Sequence, residues 1–187
     1  LDELPEKLVI IGGGYIGLEF ASYYANFGSS VAVVQDGNAF IPREDTEIAA
    51  RVLQHTNDRG IHILMGAKVQ RIEDSAGGAN VVVQTADGEK TLAANAILIA
   101  TGRRPNIEGL NLAAAGVAVT ERGAVAVDEH LRTNVPHIWA MGDVAGGLQF
   151  TYISLDDFRI VKDQLAGSGT RTTANRGAVP YSVFLDP

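Results

Sequence analysis

Four glycines within the six residues 12–17 form the part of this chain best suited to hold a ligand. Gly12, Gly14 and Gly17 follow a short apolar run typical of a buried strand and open an apolar stretch of helical length. In that context Gly12 allows a tight turn, Gly14 lets a pyrophosphate approach the backbone, and Gly17 lets helix and strand pack closely. The first helical N–H groups, including that of Ile16, are unpaired and carry partial positive charge. The pattern predicts a dinucleotide site, and a tight turn without a ligand is the alternative.

The residues that select between dinucleotides are expected at the end of the second strand. Gln35 stands 18 residues after Gly17 (35 − 17), and Asp36 follows it. A carboxylate there binds the ribose hydroxyls and repels a 2′-phosphate, whereas the Gln35 amide bonds the ribose without repulsion. Asp36 adds negative charge, and the nearest arginine is Arg43. We therefore expect NAD(H) to be preferred over NADP(H), the alternative being that Gln35 and Asp36 are turn residues only.

Two polar residues lie early in the predicted first helix. Tyr15 and Glu19 are four positions apart, so they share one helix face beside the expected cofactor site. Ser22 and Asn26 continue the same stripe, so a solvated helix face is the alternative.

Two later segments each follow a short buried strand, at residues 100–106 and 141–147. In the first, Gly102 alone indicates only a strand-terminating turn. In the second, Gly142 and Asp143 precede a helix that begins near Thr151. The Asp143 carboxylate is suited to accept hydrogen bonds from sugar hydroxyls, and the helix N-terminus to face an electron-rich ligand atom. A carboxylate that caps its own loop is the alternative for Asp143.

The elements that must position these motifs alternate strand and helix at first. Strands are expected at 8–11, 31–34 and 61–65, with helices at 15–27 and 46–59 between them. An antiparallel meander at 68–74, 80–85 and 89–92 and a buried strand at 97–100 follow. Further strands are expected near Val117, near Val125 and at 138–141, then a helix at 151–165, a polar linker at 167–175 and an apolar strand from residue 180. The fold class is α/β, a Rossmann-like parallel sheet with an antiparallel meander, followed by an incomplete segment.

Composition excludes several classes of function. The net charge is -7 without a basic cluster, so nucleic acid is not an expected partner. No apolar run approaches the roughly 20 residues that span a bilayer, and no leader peptide is visible, so we expect a soluble cytoplasmic protein without membrane contact. The chain has 0 cysteines and its 4 histidines lack metal-ligand spacing, so neither a dithiol nor a metal site is expected.

Together the motifs at 12–20 (GGGYIGLEF), 100–106 (ATGRRPN) and 141–147 (MGDVAGG) resemble the class I FAD-dependent pyridine nucleotide-disulfide oxidoreductases, which include glutathione reductase, lipoamide dehydrogenase and mercuric reductase. The resemblance covers the chain in order and spacing. Residues 149–161 are most similar to the mercuric-reductase-like branch that includes bacterial reactive-chlorine-resistance flavoproteins.

The resemblance implies a role for each motif. The three motif glycines of the first turn would bind the NAD(P) pyrophosphate, and Gly102 would lie against the nicotinamide half. Tyr15 would match the tyrosine that covers the flavin until nicotinamide displaces it. Glu19 would match the glutamate beside the nicotinamide, so both act at a gate rather than in acid–base chemistry. Gly142 and Asp143 would bind FAD, Asp143 at the ribityl chain, and Thr151 would lie near the flavin pyrimidine edge.

The resemblance also implies a domain plan. Residues 1–6 would be a linker, 7–106 an NAD(P)-binding domain, 107–166 the C-terminal part of a split FAD-binding domain, and 167–187 a linker with the first strand of a truncated interface domain. The first FAD-binding half with its cysteine pair and the rest of the interface domain, through which the parent would form a homodimer, have no counterpart here.

The expected parent enzyme transfers hydride from NAD(P)H to FAD and electrons onward to a disulfide or metal-ion type acceptor. This chain alone is expected to be inactive and to lack FAD. The alternative is a stand-alone, non-catalytic dinucleotide-binding module. A glycine turn that binds FAD or S-adenosylmethionine instead is disfavoured by Tyr15, Glu19 and the order of the motifs.

Overall fold

The computed structural model describes residues 2–185, which form two compact units. Unit 1 consists of residues 2–102 together with 182–185, and unit 2 consists of residues 103–181. The boundary falls at Gly102, four residues before the boundary expected from the domain plan. Among residues 2–185, no helix is both long and apolar enough to cross a bilayer.

Unit 1 is built on two sheets, which confirms the expected fold class. Its parallel sheet contains β1 (Lys7–Ile11), β2 (Ser30–Val34), β3 (His62–Leu64) and β7 (Ala96–Ile99), in the order β3-β2-β1-β7. Helix α1 (Tyr15–Asn26) connects β1 to β2, and α2 (Thr46–Asp58) lies between β2 and β3. The antiparallel sheet contains β4 (Lys68–Ser75), β5 (Gly78–Thr85) and β6 (Gly88–Ala94), with β5 in the middle.

Both faces of the parallel sheet are covered by apolar side chains, as its β-branched strands require. One cluster joins β1 and β2 to α1 and comprises Leu8, Ile10, Ala21, Val31, Val33 and Ile61. A second cluster joins the sheet to the meander and comprises Val9, Val34, Ala67, Val81, Val83 and Ala94. The carboxyl ends of β1, β2 and β7 are thereby fixed beside one another at one sheet edge.

The two helices of unit 1 begin differently. The Asp45 carboxylate caps α2 by accepting the N–H groups of Glu47 (2.9 Å) and Ile48 (3.3 Å). Gly14 is the N-cap residue of α1, where none of the described side chains supplies a capping hydrogen bond and no acidic residue occupies the first turn. The N-terminus of α1 therefore keeps its partial positive charge available for an anion.

Unit 2 contains one α-helix, α3 (Thr151–Ala166), and a 3-10 turn at Gly142–Ala145. The strands expected near Val117 and Val125 and at 138–141 do not form, and that prediction is wrong. In their place are isolated antiparallel bridges, Val119 with Val125 and Arg132 with Trp139. Apolar runs alone do not make strands, because a ladder also needs a neighbouring strand of matching length.

The segment after α3, where a polar linker was expected at 167–175, is folded back onto the helix. The Asp163 carboxylate accepts the N–H groups of Arg171 (2.9 Å) and Ser168 (3.1 Å). These bonds hold the pKa of Asp163 below its ordinary value, and the bond from the Arg171 N–H has the largest effect. Residues 167–181 accordingly belong to unit 2.

The strand expected from residue 180 does not form within residues 180–185, and its last two residues lie outside the described part of the chain. Leu185 instead packs against the cluster of Leu18, Phe40 and Ile41, and its carbonyl accepts the Ser22 hydroxyl. Leu185, the last described residue, is thus held by α1 rather than by a neighbouring strand.

Candidate functional site

The glycine-rich turn between β1 and α1 combines two close backbone approaches with one open position. Gly12 has φ +110°, and a Cβ there would collide with the carbonyl of Ala100. A Cβ on Gly17 would collide with the carbonyl of Gly12. Around Gly14, no described atom lies within 4 Å of where a Cβ would stand. Gly12 and Gly17 are therefore required by the fold, whereas Gly14 faces space that a ligand can enter.

The amides of the turn are divided between structure and open space. The Gly12 N–H donates to the Val34 carbonyl (2.8 Å), and the Gly13 N–H donates to Gln35 Oε1 (2.9 Å). Helix α1 begins two residues after Gly13, at Tyr15. None of the described side chains caps the backbone N–H groups of its first turn. Uncapped amides at a helix N-terminus suit the negatively charged diphosphate of a dinucleotide, so the residues of this turn fit NAD(P).

Gln35 has a structural partner that the sequence did not reveal. Because its carbonyl oxygen accepts the Gly13 N–H, its amide NH2 group faces away from Gly13. Gln35 consequently presents a hydrogen-bond donor beyond the turn, whereas an acid at this position would present an acceptor. Asp36 and Arg43 are both exposed. The predicted ribose contacts of Gln35 and Asp36 stay predictions.

Tyr15 and Glu19 lie on one face of α1 but have separate partners. The Tyr15 hydroxyl donates to Glu44 Oε1, just before α2. Glu19 Oε1 accepts the N–H of Phe184 (3.0 Å), in the segment that closes unit 1. Ser22 is buried, so the solvated-stripe alternative is wrong at that position.

The end of β7 meets the glycine turn. Gly102 has φ +120°, and no described atom lies within 4 Å of where its Cβ would be. The strand pairs in parallel with β1, with Ile99 opposite Ile11. Gly102 and Gly14 therefore follow adjacent strands at the same edge of the sheet, as a ligand bridging them requires.

In unit 2, an ion pair joins two of the sequence motifs. Arg103 NH1 lies 3.2 Å from Asp143 Oδ2, and a second N–H of Arg103 donates to the Gln149 carbonyl. Asp143 lies in the 3-10 turn after Gly142, which has φ +73°. Thr151 begins α3 and is exposed. The second carboxylate oxygen of Asp143 and the open start of α3 fit a polyhydroxyl and carbonyl-bearing group such as the flavin of FAD.

A buried carboxylate that the sequence analysis missed supports this turn. Asp157 is 4% exposed, and its Oδ2 accepts the N–H of Gly142 (2.8 Å) while its Oδ1 pairs with Arg176. Arg176 Nε also stands 2.7 Å from Asp156 Oδ2, an ion pair not aligned as a hydrogen bond. The signal was present, because Asp157 shares the buried stripe of α3 with Ile153 and Ile160. An acid on an apolar helix face requires a buried partner.

Among residues 2–185, no three or more His, Cys, Asp or Glu side chains lie together as potential metal ligands.

Comparisons with known proteins agree with this geometry. The family model described as pyridine nucleotide-disulphide oxidoreductase matches residues 1–157. The chain is 50% identical to the HOCl-induced flavoprotein disulfide reductase RclA from Escherichia coli, with a TM-score of 0.90 over 99% of this chain and 42% of that one. A structure of the same RclA as a Cu(II) complex superposes with a TM-score of 0.89.

A more distant relative is dihydrolipoyl dehydrogenase of Mycobacterium tuberculosis, which is 37% identical over 187 residues. That match covers 99% of this chain and 40% of the relative, so the chain spans about two fifths of the proteins it resembles. The similarity extends across both units, and it includes the glycine turn and the segment that contains Asp143. The chain belongs to the pyridine nucleotide-disulfide oxidoreductase family.

Proposed function

We propose that this chain is the NAD(P)H-binding portion of a flavin-dependent oxidoreductase that passes hydride to FAD and electrons onward to a disulfide or metal-ion type acceptor. The observation that carries the proposal is the glycine turn, in which two glycines are needed for close packing and Gly14 faces open space. A metal-ion acceptor is supported by the relative RclA, which has been solved as a Cu(II) complex.

The residues of unit 1 would bind and orient the dinucleotide along the edge of the sheet. The diphosphate would sit on the first amides of α1 beside Gly14, and the ribose on the Gln35 and Asp36 side. The nicotinamide would then lie past the end of β1 toward Gly102, on the other side of the turn. NAD(P)H supplies the hydride when bound, and the protein contributes orientation and exclusion of water.

The residues of unit 2 would bind part of the flavin. Asp143 would accept hydrogen bonds from the ribityl hydroxyls, with Arg103 fixing one of its oxygens. Thr151 would place the N-terminus of α3, with its partial positive charge, at the pyrimidine edge of the flavin. Gly142, held by Asp157, would fix the loop in which Asp143 stands.

The proposal is tested by Gly14→Val in a titration of this chain with NADH. Gly14 has φ -77° and ψ -179°, which valine adopts readily, so the variant should fold while its side chain fills the diphosphate space. We expect NADH affinity to fall at least about tenfold, as expected when several charged hydrogen bonds are lost. Gly147→Val in unit 2, another position with open surroundings, is the matched control. Unchanged affinity in Gly14→Val would overturn the proposal.

A finer proposal concerns the choice of dinucleotide. We infer a modest preference for NADH, because residues 35–38 contain no arginine and Asp36 is exposed. The Gln35→Glu variant keeps an acceptor for Gly13 and adds the charge that repels a 2′-phosphate, so it should widen the preference. Parallel titrations with NADH and NADPH measure both effects, and a wild-type chain that binds NADPH about tenfold more tightly would show that a cation such as Arg43 prevails.

A further inference from the structure

The Tyr15 side chain is held at both ends on one side of the glycine turn. Its ring packs against the cluster of Leu18, Phe40 and Ile41, and its hydroxyl donates to Glu44 Oε1. A tyrosine fixed by both packing and a charge-assisted hydrogen bond has a strongly preferred rotamer.

The side on which the ring lies follows from the strand order. Sheet order β3-β2-β1-β7 puts β2 and β7 on opposite sides of β1. Phe40, Ile41 and Glu44 belong to the connection that follows β2, the same connection that begins with Gln35. The Tyr15 ring therefore lies on the ribose side of the turn, and Gly102 at the end of β7 marks the other side.

The connection that holds Tyr15 is itself fixed in an uncommon conformation. Ile41 has φ +34° although it is β-branched, and it is 8% exposed. Its carbonyl accepts the N–H of Glu44 (3.0 Å), and the next residue, Asp45, caps α2. Strained backbone of this kind persists only where the surroundings over-determine it, and it concentrates at ligand clamps and switches. Glu44 is therefore held in place from both directions along the chain.

We propose that Glu44 is a positioning residue that holds the Tyr15 ring on the ribose side and so keeps the nicotinamide side of the site open. Tyr15 is the first residue of α1 and directly follows Gly14. A ring released from Glu44 would have other staggered rotamers open to it, and we expect these to turn it toward the Gly102 side rather than over the amides that hold the diphosphate. Glu44 acts on the dinucleotide only through Tyr15. The inference rests on the proposed dinucleotide site and identifies a control on access to its nicotinamide half.

If Glu44 has this role, its removal should affect only ligands that carry a nicotinamide ring. ADP-ribose contains the diphosphate and the adenosine but lacks the nicotinamide ring. Removal of Glu44 should therefore weaken NADH binding, because the binding-competent Tyr15 rotamer becomes a fraction of the population, and should leave ADP-ribose binding unchanged.

The experiment compares calorimetric titrations of NADH and ADP-ribose for this chain and its variants. Glu44→Ala and Tyr15→Phe should each weaken NADH binding about three- to tenfold, as the loss of one charge-assisted hydrogen bond implies, and ADP-ribose binding less than about twofold. Glu44→Gln keeps an acceptor for the hydroxyl and should restore much of the affinity. The double variant should be no weaker than the weaker single variant, since both remove one interaction. Glu47→Ala, an exposed acid in the first turn of α2, is the matched control.

A second readout does not depend on any ligand. With ring-labelled tyrosine, the Tyr15 signal is identified by its loss in Tyr15→Phe, and it should shift or broaden in Glu44→Ala but not in Glu47→Ala. An unchanged Tyr15 signal in Glu44→Ala would overturn the proposal, as would equal weakening of NADH and ADP-ribose. If the wild-type chain binds neither ligand, the proposed dinucleotide site fails, while the tyrosine signal still decides whether Glu44 positions Tyr15.

Discussion

In unit 1 a parallel sheet is covered on both faces by apolar side chains, whereas unit 2 has no regular strand anywhere in residues 103–181. Unit 2 has a small apolar cluster around Val117, Val125 and Ala140. Backbone bonds between its loops, such as that of Val125 with Val144, are joined by charged side chains that bind backbone groups, such as Asp157 at Gly142 and Asp163 at Arg171. Unit 1 is thus organised around sheets packed on both faces, whereas unit 2 combines a small core with individual polar contacts.

The candidate sites differ in the same way. The glycine turn of unit 1 presents backbone amides whose positions follow from strand and helix packing. The Asp143 turn of unit 2 presents a side chain whose position depends on Arg103, Asp157 and, through Asp157, Arg176. A site made of backbone survives many surface substitutions, whereas a site made of paired side chains is sensitive to each partner.

The largest expected difference is in cofactor binding, because this chain should bind NADH in unit 1 and retain no FAD in unit 2. The proposed flavin contacts are Asp143, a few loop amides and one helix N-terminus, each worth about 1 kcal/mol net. Immobilising a large cofactor costs at least about 4 kcal/mol. The chain is purified from cells grown with added FAD, and its absorbance spectrum is recorded. A yellow protein with nearly one flavin per chain, or NADH-driven dye reduction, would contradict this expectation.

The next largest effect should follow removal of apolar volume from unit 1. Ile10 is 0% exposed, and Ile10→Ala should lower the free energy of unfolding by about 3 to 4 kcal/mol through lost burial and a residual cavity. Ile48→Ala, at a position that is 56% exposed, is the control and should cost little. Hydrogen exchange should accelerate in β1 and β2 but not around Gly142. Equal acceleration in both places would show that the units unfold as one.

A smaller effect, confined to unit 2, should follow loss of the buried acid in α3. Asp157→Ala leaves the Gly142 N–H and Arg176 without their partner and should cost about 2 to 3 kcal/mol. Trp139, the 1 tryptophan of the chain, lies in unit 2, so its fluorescence during denaturation follows that unit. Glu121→Gln, an exposed acid in the same unit, should leave the transition in place. If Asp157→Ala also left the denaturation midpoint unchanged, the polar contacts of Asp157 would not stabilise unit 2.

The smallest effect should be a pH-dependent loosening of the segment after α3. The pKa of Asp163 is lowered in the folded chain, so its stabilising contribution is present above the ordinary aspartate pKa, about 4, and is lost as pH falls through the lower folded value. Amide exchange of Ser168 and Arg171 should therefore rise below about pH 4 beyond the intrinsic trend. In Asp163→Asn this additional exchange at low pH should disappear. An excess that persists in that variant would assign the loosening to another group.

The sequence was sufficient to predict the elements of unit 1 because their signals are local. β-Branched runs, helical periodicity and turn glycines placed β1, α1 and β2 within one or two residues of their observed bounds. The start of α2 at Thr46 was also predicted correctly. The open surroundings of Gly14 likewise agree with the role that its motif predicted.

Features that depend on distant partners could not be predicted. The short apolar runs near Val117, near Val125 and at 138–141 have the composition of strands, but they pair only through isolated bridges. The Tyr15–Glu44 bond spans 29 positions, and Gln35 reaches back to Gly13 across 22. Their residue types are compatible with many partners, so only the packing of the elements determines which are brought together.

The glycine turn has a consequence for how this sequence tolerates random change. In a library of single substitutions sorted once for folded chains and once for capture on immobilised dinucleotide, replacements at Gly12 and Gly17 should disappear from both pools, since either added Cβ meets backbone. Replacements at Gly14 should persist among the folded chains and disappear only from the captured ones. The three motif glycines are thus under two kinds of selection. Gly12 and Gly17 are required for folding, and only Gly14 is required for binding alone.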